Sequence, residues 1–180
     1  MKAMSAIATK LNPIVKRVLF TCISLLLVFA CLLGTKIALT GEPQLLAGTR
    51  PDNLGVRAGE LAPCPSTPNC VSSQSQDPVH KIAPLTYSSS TKKAMTDLKT
   101  VLQSFRRTKA IAQTENYLYT EFTIPVVGFV DDVEFFLDDN AKVIHVRSAS
   151  RLGESDLGVN RGRIETMRAK FNQINRSESV

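Results

Sequence analysis

An 18-residue uncharged run, VLFTCISLLLVFACLLGT between Arg17 and Lys36, constrains this chain more than any other feature. As a helix rising ~1.5 Å per residue it is about 27 Å long, close to the hydrocarbon thickness of a bilayer. It is apolar on every face, unlike a core helix with one buried stripe. A secretory signal has a shorter apolar core, ~7–15 residues, followed by a small-x-small cleavage site. The best such site, Ala38-Leu39-Thr40 before Gly41, is mediocre, and the bulky Phe29 makes a poor lipoprotein box ahead of Cys31. We read residues 1–40 as an uncleaved signal anchor, with a cleaved signal peptide as the alternative, and residues 18–39 as the membrane-contacting part. Lys10, Lys16 and Arg17 precede the run, so the positive-inside rule leaves the N-terminus in the cytoplasm. The rest of the chain then faces the periplasm or a thylakoid lumen, or is secreted there if cleaved.

The formal net charge of +6 suggests a polyanion partner until it is located along the chain. Five of the 22 basic residues, Lys2, Lys10, Lys16, Arg17 and Lys36, lie within the first forty positions, with no acidic residue among them. The remaining 17 basic residues face 16 acidic ones, so no nucleic-acid footprint is left. With 43% hydrophobic and 21% charged residues, the exported part reads as one globular domain.

Cys22 and Cys31 are nine residues apart in the apolar run, about 900° of helix, and lie on opposite faces. Cys64 and Cys70 fall in the exported part, where disulfides persist, inside the proline-rich segment Pro63-Cys64-Pro65-Ser66-Thr67-Pro68-Asn69-Cys70. They are read as a structural staple. A catalytic dithiol usually has two intervening residues, and zinc needs two further ligands. No metal signature, phosphate loop, nucleophile motif or cofactor fingerprint is present in the sequence.

Residues 41–60, rich in Gly, Pro and polar side chains, read as a linker. Within 61–174, Lys81 to Tyr87 is a short edge strand containing Pro84. Ser90 or Thr91 caps a helix with Ala94, Leu98, Val101, Leu102 and Phe105 at helical spacing. Lys109 to Thr114 and Asn116 to Ile124 are strands, and Phe129 to Leu137 with Lys142 to Ser150 form a hairpin. Ile164, Met167, Phe171 and Ile174 mark a C-terminal helix, and 175–180 reads as a flexible tail. The expectation is an α+β domain, an antiparallel sheet of four to five strands covered on one face by two helices.

A hairpin loop of Asp138 to Ala141 would pair Phe135 with Ile144, Val133 with Val146, Glu134 with His145 and Asp132 with Arg147. Apolar and charged residues then separate onto two faces. Downstream, Arg147 to Arg163 mixes basic residues, hydroxyls and glycines. Asp156 or Asn160 is placed to cap the last helix, whose N–H groups beside Arg151 or Arg161 would suit an anion. The structural reading of the same residues is an ion-pair network of Arg147, Arg151, Asp132 and Asp156. Asp131 and Asp132 are not an acid/base pair, because neighbouring strand residues point to opposite faces. His145 is read as a surface partner of Glu134.

Four segments, Pro63-Cys64-Pro65 through Asn69-Cys70-Val71-Ser72-Ser73, Gly128 to Glu134, Arg147 to Arg151 and Ser155 to Arg161, stand together in this order. Through them the chain resembles, over about 60–174, the family catalogued as domain of unknown function 1499. The resemblance implies no activity. It marks Cys64, Cys70, Asp131, Asp132, Arg147, Ser148, Arg151, Asp156, Asn160 and Arg161 as a set. The expected function is a membrane-tethered binding or assembly module that holds a protein partner or a small anionic ligand. The alternatives are a hydrolase or lyase using Asp132, His145 and Arg147, and a thiol-disulfide protein at Cys64 and Cys70.

Overall fold

The computed structural model describes residues 12–40, 46–125 and 128–177. Positions 1–11 of the expected anchor, 41–45 of the expected linker and 178–180 of the expected tail lie outside the described residues. The apolar run forms helix α1, Pro13–Thr40, as a unit of its own. Its Pro13–Leu32 part is long and apolar enough to cross a membrane, a test that a signal sequence also passes.

The second unit holds a six-stranded antiparallel sheet: β1 (Cys70–Ser72), β2 (Leu85–Thr86), β3 (Thr108–Gln113), β4 (Tyr117–Thr123), β5 (Val130–Asp138) and β6 (Val143–Ser150). The strand order is β1-β6-β5-β4-β3, and β2 also pairs with β6. Helices α2 (Thr91–Gln103) and α3 (Val159–Ser177) share one core with one face of the sheet. The sheet is therefore one to two strands wider than read from the sequence, and α3 takes up residues 175–177 of the expected tail.

Each element follows from local chemistry. Ser90 caps α2, its Oγ accepting from the Lys93 N–H at 3.3 Å. Leu98 and Val101 of α2, and Ile164, Met167 and Phe171 of α3, recur at helical spacing. They are buried against Val133, Phe135, Leu137, Ile144 and Val146, which alternate along the two central strands.

The hairpin register differs by two residues from the sequence reading. The loop is 139–142, because Lys142 has φ +54° and belongs to the turn, while the Asp138 carboxylate accepts from the N–H groups of Asn140 and Ala141. Asp138 then faces Val143, Phe135 faces Val146, and Val133 faces Ser148. Glu134 faces Arg147 instead of His145, and Asp132 faces Ala149 instead of Arg147. A shift of two keeps every side chain on its expected face and changes only its partner.

Residues 46–60 do more than link. Gly48, at φ +66°, lies so close that a Cβ there would meet the Cβ of Arg151 at 2.9 Å. Arg50 reaches Glu121 of β4, and the Gly55 N–H donates to Glu134 of β5 at 2.7 Å. This segment is a strap over the polar face of the sheet. At its end the Cys64–Cys70 disulfide, with Cα atoms 5.7 Å apart, ties a proline-rich loop to β1. Replacing both cysteines by serine in the full chain is expected to lower unfolding free energy by about 2 kcal/mol in denaturant titration, because the closed loop is short.

Candidate functional site

Adjacent positions on a strand project to opposite faces, so Asp131 and Asp132 seed two separate polar clusters. On the strap face, Asp132 is 1% exposed and Glu121 stands directly across from it on β4. Two carboxylates opposed in this way repel unless a cation lies between them. Arg151 supplies it, with Nε 2.9 Å from Asp132 Oδ2 and Nη2 bonded to both Asp132 Oδ1 and Glu121. Tyr119 donates to Asp132 at 2.5 Å, and Arg50 donates to Glu121 at 2.8 Å. Burial pushes the Glu121 carboxyl up, but Arg151 and Arg50 outweigh it and hold it below its ordinary value. Burial and the neighbouring Asp132 raise the Tyr119 hydroxyl, keeping it a donor.

One step along the same face, Glu134 is fully buried. It accepts from Gly55 N–H, from Tyr117 OH at 2.8 Å, and from Arg147 Nη1 at 3.4 Å. Burial, then Glu134, raises the Tyr117 hydroxyl. His145 sits beside this group without touching it. Its ring stacks on Phe136 at 6.0 Å, and its Nδ1 is 3.2 Å from Ser73 Oγ. Burial lowers its pKa. The reading of His145 as a surface partner of Glu134 is thus replaced by a half-buried ring packed on Phe136.

On the helix face, Asp131 pairs with Arg163 of α3. Arg163 Nη1 also donates to Ser148 Oγ at 2.9 Å and Asn160 Oδ1 at 2.6 Å. Asn160 Nδ2 donates to the Asn69 carbonyl and to Ser150 Oγ, both at 3.0 Å. This cluster stitches β5, β6, the cysteine loop and α3 together.

The structure therefore distributes the expected set over several places. Asp132 with Arg151, and Arg147 with Glu134, lie under the strap, while Asp131, Ser148 and Asn160 lie under α3. Asp156 bonds no arginine. Its carboxylate accepts from the N–H groups of Gly158 at 3.0 Å and Asn160 at 2.7 Å. It fills the place an anion would take at the start of α3. Arg161 is turned away, donating to the carbonyls of Lys81 and Val79. Of the set, Asp131 and Asp156 line an open cleft of about 240 Å³ beside Ser150 and Leu157, and Cys64 lines a separate one of about 500 Å³. Among the described residues no group of three metal-ligating side chains converges.

Sequence reasoning passed over Arg163, Glu134, Tyr119 and Glu121 as site residues. Arg163 carries a legible signal, since positions 160, 163, 164, 167 and 171 form one inward stripe. The β4 partners depend on the register between β4 and β5, which no local pattern encodes.

Removing one partner of a buried ion pair leaves the other charge stranded. Arg163→Met is expected to destabilise the domain by about 3–5 kcal/mol, and Asp131→Asn added to it to restore part of that loss in a double-mutant cycle. Glu121 gives a pH test. Its pKa is lower folded than unfolded, so its contribution to stability is complete above its ordinary value of 4.5 and is lost as pH falls from there through the folded value. Thermal unfolding between about pH 6 and about pH 3 should show a slope that Glu121→Gln reduces.

No curated protein matches the chain. A family model described as a protein of unknown function (DUF1499) matches residues 60–171, which include the cysteine loop, most of α3 and both polar clusters apart from Arg50 and Gly55. On that match the chain belongs to the DUF1499 family.

Proposed function

We propose that this chain is a membrane-tethered module whose domain works outside the cytoplasm, in the periplasm or a thylakoid lumen, as a binding or assembly unit. The observation that carries this reading is the saturation of its acidic groups. Asp131, Asp132 and Glu134 are each buried and each engaged by an arginine, so these carboxylates are held by partners inside the domain. The hydrolase or lyase reading loses its geometry as well. His145 faces Phe136, four residues from Asp132 along β5, about 13 Å at strand rise. The thiol-disulfide reading is weakened by the burial of Cys70 within β1.

Tethering is supported by α1, and the compartment by the Cys64–Cys70 bond. Membranes from cells making the full chain should retain a 19.7 kDa species after carbonate washing. Protease added from the non-cytoplasmic side should digest its domain. A soluble product lacking the first forty residues would remove the tether, and protection from that side would remove the compartment. Cross-linking in those membranes should place the domain in a complex that His145→Ala leaves intact, whereas a hydrolase built on His145 predicts no stable complex.

A further inference from the structure

A cavity of about 500 Å³, within the range of small-ligand sites, lies beside the disulfide loop and shares no residue with either polar cluster. One wall is apolar, from Leu61, Ala62, Pro63 and Pro65. That wall is held in place: Gln74 accepts from Leu61 N–H at 2.8 Å and donates to the Gly59 carbonyl at 2.9 Å, and Cys64 is bonded to Cys70. Asp77 and His80 also line it, with Glu60 as a second carboxylate, and no lysine or arginine is among the lining residues described.

The His80 side chain is only 7% exposed. Its Nδ1 is 2.9 Å from the Cys70 carbonyl, which can only accept, so Nδ1 carries a proton. In the neutral ring Nε2 therefore presents a lone pair. Nε2 lies 3.8 Å from Asp77 Oδ2, outside hydrogen-bond range. Asp77 Oδ1 is occupied by the Val79 N–H at 2.9 Å, which turns Oδ2 to His80. With the ring in that form, two acceptors face each other with no donor between them. A nitrogen placed about 2.9 Å from each fits such a gap.

We propose that this cavity binds an alkylammonium group, its N–H donors shared by Asp77 Oδ2 and His80 Nε2 and its hydrocarbon chain lying along Leu61, Pro63 and Pro65. The carboxylates select a cation, the apolar wall selects a chain of several methylenes, and the absence of Phe, Tyr and Trp from the lining residues argues against a quaternary ammonium. The same chemistry is carried by a free amine and by a lysine side chain of a partner protein. Recognition here does not depend on whether the anchor is retained.

The chain has two histidines, so imidazole proton and carbon resonances of the full chain in detergent micelles give one reporter in the cavity and one control, His145. Titration with n-butylammonium chloride at constant ionic strength should shift the His80 signals saturably and leave His145 in place. n-Butanol should shift neither histidine. Asp77→Asn keeps the oxygen that accepts from Val79, and should weaken binding about tenfold with an unchanged His145 signal. Tighter binding of Nα-acetyl-lysine methylamide than of butylammonium assigns the site to a protein lysine, and the reverse assigns it to a free amine. The absence of a saturable shift, an equal response to butanol, or unaltered binding by Asp77→Asn overturns the proposal.

Discussion

Three carboxylates buried on one central strand, Asp131, Asp132 and Glu134, are each matched by an arginine from another part of the chain: Arg163 of α3, Arg151 just after β6, and Arg147 of β6. An ionised carboxylate taken out of water costs several kcal/mol unless it is paired and hydrogen-bonded. The strand can therefore be buried on both faces only when helix, loop and strap are all in place. Val133, Phe135 and Leu137 supply the apolar burial, and the alternating acids decide what must pack where. Charge pairing of this kind adds specificity of arrangement more than net stability.

The same closure shapes what the domain can do. Acid/base chemistry needs a group able to change protonation beside a substrate, and the acids of β5 are held by arginine and tyrosine donors. The accessible chemistry lies at the edges of this core. Near the disulfide, Asp77 and His80 line a preformed cavity, with Nε2 and Oδ2 3.8 Å apart. A buried scaffold with an unspent polar pair at its rim suits recognition, where rigidity limits the entropy lost on binding.

Much of the fold was legible because its elements obey local rules. The inward stripe of α2 follows helical period, Ser90 is a capping residue, and alternation along β5 and β6 separates apolar from polar faces. The disulfide followed from compartment and spacing. The pairing of particular charges was not legible. One left-handed residue, Lys142, belongs to the turn, which shifts the loop by one position and moves Glu134 from His145 to Arg147. Strand β1 has only three residues and is defined by its partner, Ala149 to Arg147, instead of by its own pattern. The strap reads as a linker by composition, since what orders it is a side chain 79 residues away.

The strap is part of the domain because its backbone satisfies a buried carboxylate. Amide hydrogen exchange at Gly55 measures this directly, since its N–H is bonded to Glu134 and to no neighbouring strand. Gly55 is expected to be protected to the level of β5 amides and to lose that protection in Glu134→Gln. Exchange at the rate of a free peptide in the unaltered chain would contradict it.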